Sequence, residues 1–468
     1  MQPDDDEGRA TQLTYVFGSN LRHITARDQW VVFKKDPNYP SCGVWSLSSP
    51  KDNLEVLRLA RKMSGILTAN LPDDADKDTD KMIQGWRSSK CMSNAIRLAR
   101  VDDQVIIRAA DLDSHPNLLL VKNGVVDLET KDFYPEVDKN LLLTKCCNAV
   151  WNPNADKSTV QKFLRDIQPD EESLAAMIRY LGYCMTGEVN QQKLHFWKGR
   201  GANGKSTILV TFKFMMGNHA VNIPATLLLE PKTPADANNA TPALAMLIGT
   251  RVAISSELPQ TCVLNSQLVK DVTGGEEMSV RLLHCNFENF RPFAKFIICG
   301  NFFPQIANVR DKGLLRRLQT LEFNQTFEGN KADLGLPKRL LEDENLSALL
   351  SIIVDGAYDF YREGKLIESA EMQTSRKTYV ADNDFIAQFI EEFCVVGDDK
   401  YCLRKIFLEE LRKKFGAECS RYRNDRELGN LVEQLPNCRK GKSKSGIVYY
   451  GFGLVDNLTD EPDVPFGN

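Results

Sequence analysis

Apolar positions along the chain change period several times, and each change marks a predicted element. Gln29-Trp30-Val31-Val32-Phe33 reads as a strand and the spacing around Leu54–Met63 as a helix. The polar stretch from Pro72 to Asp80 is expected to be a solvated loop, since it lacks the ligand geometry of a calcium loop. Between Asn117 and Leu128, apolar runs flank Asn123-Gly124, a short-hairpin signal. From 155 to 190 the period turns helical, with Phe163, Ile167, Leu174, Met177, Ile178 and Leu181 at spacings of three and four. Residues 191–325 alternate strands, loops and helices, with strands expected at Leu194–Trp197, Arg251–Ser255, Met278–His284, Ala294–Cys299 and Gln319–Phe323. Segment 336–378 is helical again, most apolar across Leu346–Val354. Towards the end come a helical face (Phe385, Ile386, Phe389, Ile390, Phe393) and a helix from Leu403 to Phe415 stopped by Gly416. A third helix over Asp425–Leu435 precedes basic Arg439–Ser445 and strand-like Gly446–Leu454, the layout of a winged helix.

Composition narrows the class. At about 150 residues per domain, 468 residues suggest about three domains. With 42% hydrophobic and 26% charged residues, a mostly disordered, collagen-like or coiled-coil chain is excluded. No apolar stretch approaches the ~18 residues that span a bilayer, so no membrane association is expected. Residues 1–10 are expected to form a disordered acidic leader without the apolar core of a secretory signal. The twelve cysteines include adjacent Cys146-Cys147 but no Cys-x-x-Cys, and with five histidines no zinc spacing arises. Reduced, structural thiols fit a cytoplasmic compartment, that of the host cell if the chain is viral or phage-encoded.

The chemistry concentrates in one stretch. Gly199-Arg200-Gly201-Ala202-Asn203-Gly204-Lys205-Ser206 matches G-x-x-x-x-G-K-[ST], after a strand and before a helix. Glycines let backbone N–H groups turn inward on phosphate oxygens, and the helix N-terminus adds partial positive charge. Lys205 is placed to reach β- and γ-phosphates, and the Ser206 hydroxyl to ligate Mg²⁺. Downstream, the strand Arg251–Ser255 leads to Glu257, a candidate to polarise water or hold Mg²⁺ through its hydration shell; Ser256 stands where a second carboxylate is common. The alternative is a strand-end charge. The apolar strand Lys295–Gly300 ends at Asn301, either a turn residue or an amide for the γ-phosphate. Arg316-Arg317 precede another strand and are either surface charges or a source of an arginine finger.

This order of motifs resembles superfamily 3 helicases, in the phage/plasmid and poxvirus-type primase-helicase branch. The likeness rests on Gly199–Thr207, the strand leading to Glu257, Thr273-Gly274-Gly275, the strand leading to Asn301, and Arg316-Arg317 ahead of Phe323. Asn117–Thr130 and Leu181–Gly187 are similar to segments that the branch carries ahead of its ATPase, so the likeness covers residues 90–455, faint before that. It implies an α/β fold: an AAA+ P-loop NTPase core with a helical N-terminal and collar region and a C-terminal winged helix. The expected division is 1–154 leader domain, 155–190 helical collar, 191–335 ATPase core, 336–380 helical segment, 381–455 winged helix and 456–468 acidic tail.

The resemblance further implies a homo-hexameric ring with ATP and Mg²⁺ between subunits, translocating 3′ to 5′ on single-stranded DNA. Gly199, Gly201, Ala202, Asn203, Gly204, Lys205, Ser206 and Thr207 would bind the nucleotide; Ser206 and Glu257 the metal. Lys205, Glu257, Asn301 and Arg316 or Arg317 would act in hydrolysis. A β-hairpin between the strand-Glu and strand-Asn motifs would grip DNA in the pore. Here that is Lys270–His284, turning near Cys285–Asn289, with Lys270, Arg281 and His284 as contacts, though His284 reads equally as a packed strand histidine. No Lys stands at the expected hairpin tip.

Charge supports a nucleic-acid partner only locally. The net charge of −4 argues against a generic binder, yet Lys400–Ser445 carries thirteen Lys/Arg against six acids. Arg421, Arg423 and Arg426 would start a recognition helix, and Arg439, Lys440, Lys442 and Lys444 would lie on the wing; a solvated or protein-binding face is the alternative. Asp111 and Asp113 could serve a polymerase metal site, but no third carboxylate strand follows, so priming is expected of either a separate primase or polymerase or a missing N-terminal part. The favoured function is an ATP-dependent helicase on single-stranded and forked DNA in replication of a phage, plasmid or mobile element. The alternatives are an ATP-switched replication initiator without processive unwinding, or the helicase part of a primase-helicase. A small-molecule kinase would explain neither the arginine pair nor the C-terminal unit.

Overall fold

The structure is a computed structural model that describes residues 5–49, 53–70, 77–231, 242–255, 258–259, 262–281, 287–329, 332–422 and 424–455. Ser256, Glu257, His284, Arg423 and the tail 456–468 therefore lie outside the described residues.

The N-terminal unit begins with α1 (Asp6–Phe17), where the Asp5 side chain accepts the Gly8 N–H at 2.7 Å. From Asp5 onward the acidic leader is thus a capped helix start rather than disordered, and Ala10 and Leu13 are buried. Strands β1 (Leu21–Ile24), β2 (Gln29–Lys35) and β3 (Gly43–Leu47), helices α2 (Leu54–Ala69), α3 (Lys77–Gly85) and α4 (Ser89–Leu98), and β4 (Ile106–Ile107) follow. The strands form one sheet, ordered β3-β2-β1-β4, over a core that includes Leu13, Trp30, Met63 and Trp86. Lys77–Asp80, expected to be loop, is helical.

A second sheet contains β5 (Leu118–Val121), β6 (Gly124–Asp127) and β7 (Phe133–Tyr134). Val121 pairs with Gly124, so the tight loop is Lys122-Asn123. The Asn123 side chain accepts the Trp151 N–H at 2.8 Å and donates to the Trp151 carbonyl at 3.0 Å. Gly124 is needed for close approach: a Cβ there would lie 2.3 Å from the Tyr134 carbonyl oxygen.

Helices α5 (Ser158–Ile167) and α6 (Glu171–Met185) lead into the central sheet. Its elements are β8 (Leu194–Lys198), α7 (Lys205–Met216), β9 (Ala220–Ile223), α8 (Pro242–Ala245), β10 (Val252–Ser255), α9 (Ser266–Gly274), the hairpin β11 (Met278–Arg281) and β12 (Phe287–Phe290), β13 (Lys295–Gly300), α10 (Lys312–Leu315) and β14 (Leu318–Glu322). Five parallel strands run in the order β14-β8-β13-β10-β9. β8, first in sequence, thus lies between the last two, which makes its carboxyl end a topological switch point where ligands bind in open α/β sheets. In the hairpin, Arg281 pairs with Phe287, and Phe287–Phe290 is the return strand, so Phe287–Asn289 of the expected turn near Cys285–Asn289 is strand, while 282–286 lie outside the described residues.

Next come α11 (Leu336–Arg339), α12 (Asp343–Glu363) and α13 (Ala370–Asp382). α12 packs on α6 through facing small residues: Cβ atoms on Gly182 and Gly356 would lie 2.2 Å from the Ala357 nitrogen and 2.5 Å from the Ile178 oxygen. The C-terminal unit comprises α14 (Phe385–Phe393), β15 (Cys394–Leu403), α15 (Arg404–Lys414), α16 (Gly416–Cys419), α17 (Asp425–Val432), β16 (Arg439–Ser443) and β17 (Gly446–Leu454), in the sheet order β15-β17-β16. Gly416 opens α16 instead of ending a helix in the left-handed region. Strand β15, absent from the sequence reading, completes the sheet. Among the described residues no helix is long and apolar enough to cross a membrane.

Candidate nucleotide and nucleic-acid site

The loop 199–204 joins β8 to α7. Three of its residues have positive φ: Gly201 at 110°, Ala202 at 47° and Gly204 at 82°. At Gly204 a side chain would also meet Ile167 Cγ2 at 2.3 Å, so both backbone conformation and collar packing demand glycine. The loop is tied to neighbouring strands: Gly199 N–H donates to the Gly300 carbonyl at 3.2 Å, Phe327 N–H to the Ala202 carbonyl at 2.7 Å, and Asn203 Nδ2 to the Phe323 carbonyl at 3.3 Å. Lys205 is buried, and its ammonium donates to the Gly199 carbonyl at 2.7 Å and to Asn203 Oδ1 at 3.2 Å. Burial lowers its pKa. Ser206 is exposed on the first turn of α7, with Thr207 half-buried beside it. A turn that requires glycine at 204, an ammonium bonded to that turn and an exposed hydroxyl at a helix start form a donor set suited to a nucleoside triphosphate with Mg²⁺.

The other candidates divide. Gly300 pairs with Lys198, so exposed Asn301 follows β13 at the same sheet edge as Gly199. β10 also ends at that edge, with Ser255 opposite Ile298; Glu257, two residues on, lies outside the described residues.

Arg316 and Arg317 stand at the opposite edge, just before Leu318, which pairs with Leu194 at the start of β8. Arg317 points inward: its Nε donates to Thr273 Oγ1 at 2.9 Å and its Nη1 to the Gly313 carbonyl at 2.6 Å. Burial and its Arg316 neighbour lower its pKa. Arg316 is exposed; its backbone N–H donates to the Lys312 carbonyl at 3.2 Å and its carbonyl accepts from Lys193 Nζ at 2.7 Å. The length of β8, roughly 16 Å at ~3.3 Å per residue, separates Arg316 from the glycine loop of its own chain.

One expected DNA contact is placed differently. Lys270 is not on the hairpin but in α9, where its ammonium pairs with Asp311 at 2.9 Å. Burial disfavours the Asp311 carboxylate, but bonds from Ser266, Lys270 and the Leu314 N–H hold its pKa at about 2. Arg281 is half-buried at the hairpin position nearest the turn, while His284 lies outside the described residues. Asp111 pairs with Arg108 at 2.7 Å and Asp113 accepts the Thr144 N–H at 2.7 Å, so both carboxylates are committed to local structure. No cluster of three or more potential metal-ligating His, Cys, Asp or Glu occurs among the described residues.

In the C-terminal unit, several basic residues are neutralised within the fold: Arg404 and Lys440 by Glu433 at 3.3 and 2.9 Å, and Arg412 by Asp425 at 2.9 Å. Arg439 contacts exposed Asp398 at 3.5 Å. Arg426 stands in the first turn of α17 and Arg421 in the turn before it; Arg423 lies outside the described residues. Lys442 and Lys444 are exposed on and beside the β16–β17 turn.

Missed by sequence reasoning were the collar and strand residues that shape the glycine loop, Ile167, Phe323 and Phe327. Their proximity arises only when β14 pairs beside β8. Also missed was a second set of buried cations. Lys295 donates to the Phe293 carbonyl at 3.0 Å and to the Thr186 carbonyl, and Arg251 donates to the Met185 carbonyl and, at 2.7 Å, to the Leu118 carbonyl. Both sit where α6 ends, favourable for cations because its last carbonyls lack helical partners.

Residues 10–169 match the sequence family described as D5 N terminal like. The match starts in α1, so the segment where the resemblance is faint in the sequence belongs to the matched region. A candidate helicase (L207/L206) of Acanthamoeba polyphaga mimivirus is 29% identical over 350 residues, 70% of this chain and 35% of that protein. The protein named primase D5 of fowlpox virus is 25% identical over 327 residues, 67% of this chain and 37% of its own. The chain thus spans little more than a third of the length of these relatives. Among solved structures, the apo A form of the NrS-1 C-terminal region aligns with 94% of this chain and 98% of its own at 12% identity and a TM-score of 0.47. The matched family and the names of these relatives, helicase and primase, agree with the primase-helicase resemblance read from the motifs.

Proposed function

We propose that this chain is the ATP-driven DNA-unwinding part of a viral-type primase-helicase, assembled as a head-to-tail ring, most simply a hexamer. The observation that carries the proposal is the glycine-dependent loop at the switch point, with buried Lys205 bonded to it and Asn301 at the same edge. ATP would be held by residues 199–207, with Lys205 exchanging its loop carbonyl for phosphate oxygens and Ser206 ligating Mg²⁺. Glu257 would orient water, and Asn301 would register the γ-phosphate.

Arg316 is exposed at the far edge of the sheet, so it reaches a nucleotide only on a neighbouring copy, which favours a heterologous interface. Arg317, bonded to Thr273 and Gly313, would brace that strand instead. The C-terminal unit, a winged helix in this reading, would contact DNA backbone through Arg421, Arg426, Lys442 and Lys444. Forked DNA with either a free 3′ or a free 5′ tail tests the function. DNA-stimulated ATP hydrolysis with strand displacement on the 3′-tailed substrate supports it. Tight duplex binding without displacement favours the initiator alternative.

A further inference from the structure

The segment between Asn301 and Arg316 has little regular structure of its own, and most of its fixed contacts come from elsewhere. Phe303 packs against Phe196 of β8 and Tyr379 of α13, with ring centroids 6.1 and 4.6 Å apart. The Tyr379 hydroxyl donates to the Pro304 carbonyl at 2.6 Å, and Ile306 N–H donates to Asn383 Oδ1 at 2.8 Å. The Tyr422 hydroxyl donates to the Ala307 carbonyl. Arg310 Nη2 donates to both carboxylate oxygens of Asp384, at 3.0 and 2.9 Å. These two side chains are only 15% and 21% exposed. Asp384 is also the N-cap of α14, accepting the Ala387 N–H at 3.0 Å. One residue further, Asp311 holds Lys270 and Ser266 of α9, which leads into the hairpin.

We infer that segment 303–311 transmits DNA binding at the C-terminal unit to the nucleotide site, with Arg310, Asp384 and Tyr422 as positioning residues; this rests on the function proposed above. The geometry joins both ends of the path. Asn301 lies two residues before the segment, Tyr422 adjoins the candidate DNA contact Arg421, and the Arg310–Asp384 pair fixes α14 to the segment's far end. A charge-assisted pair this sheltered is shielded from solvent, so a shift of α14 moves Arg310 with it. The same segment also touches α9, the helix that leads into the hairpin, so DNA at the hairpin and DNA on the C-terminal unit would bias one element.

The test is ATP hydrolysis by the full chain with and without forked DNA, alongside thermal unfolding, for Asp384→Asn, Tyr422→Phe, and Arg310→Asp alone and combined with Asp384→Arg. Asn keeps a helix cap and Phe keeps the ring, so these two variants are expected to fold. Basal hydrolysis should stay within about twofold of wild type, while stimulation by DNA should fall about fivefold or more, the usual range for coupled sites. The charge swap should restore stimulation that Arg310→Asp alone removes. Unchanged stimulation in both Asp384→Asn and Tyr422→Phe, whatever happens to the melting temperature, would overturn the coupling and make these contacts a simple brace. If wild type shows no stimulation by DNA, the proposed function itself fails, and the coupling with it.

Discussion

Two lysines are buried at opposite ends of the same parallel sheet, and only Lys205 stands at the proposed nucleotide site. Lys205 lies at the carboxyl edge, bonded to the carbonyl and side chain of a loop whose residues at 201, 202 and 204 all have positive φ. Lys295 opens β13 at the amino edge, bonded to the Thr186 carbonyl just beyond the end of α6 and to the Phe293 carbonyl just before its own strand. Each is desolvated, so burial of a cation does not by itself distinguish function from scaffold. The difference lies in the partner: a positive-φ glycine loop, the proposed phosphate cradle, on one side, and carbonyls at a helix terminus on the other. The arginine pair repeats the lesson at adjacent positions, with Arg316 exposed and Arg317 bonded inward.

The largest expected effect breaks the arginine comparison. Arg316→Ala should lower DNA-stimulated hydrolysis by about 10³-fold with unchanged unfolding, as an arginine finger does. Arg317→Ala should instead cost about 1–3 kcal/mol of stability by leaving Thr273 and Gly313 with lost bonds, and denaturant titration reads that difference. For the lysines, Lys205→Ala should abolish nucleotide-dependent activity while melting near wild type. Lys295→Met should cost about 3 kcal/mol because two buried carbonyls lose their donor, while the folded fraction keeps its nucleotide affinity.

Titration sharpens the same contrast between edges. Burial pushes the Lys295 ammonium from its ordinary 10.5 down to about 7. The unfolded chain therefore binds the extra proton between those values, and stability should rise with pH from about 7 to 10.5, a slope that Lys295→Met removes. Asp311 behaves oppositely, with its pKa at about 2 against an ordinary 3.8. Its contribution is present above about pH 4 and lost as pH falls towards 2, and Lys270→Met should weaken that acid limb. The smallest effects belong to the β16–β17 turn. Lys442→Ala and Lys444→Ala should each weaken DNA binding evenly across sequences and reduce the salt slope by about 1.

Local chemistry was legible in the sequence wherever it depends on neighbours along the chain. The glycine loop, its flanking strand and helix, and the strands around 252, 295 and 318 could all be read because spacing alone imposes them. Strand β15 could not: its Gly397-Asp398-Asp399-Lys400 stretch breaks the alternation, and the pairing indeed shifts register between Gly397 and Tyr401. The start of α1 was hidden because an acidic run reads as solvated until Asp5 is seen capping it. Lys270 looked available for DNA because its partner, Asp311, is distant in sequence. No periodicity separates Arg316 from Arg317; the packing of Arg317 against α9 and Gly313 does.

The claim that active sites form between copies is tested most directly by mixing two inactive proteins. Lys205→Ala subunits lack a nucleotide site but keep Arg316; Arg316→Ala subunits have the reverse defect. If neighbours complete each other's sites in a head-to-tail ring, an equal mixture should regain DNA-stimulated hydrolysis at about a quarter of its interfaces. A mixture no more active than either protein alone would contradict the account.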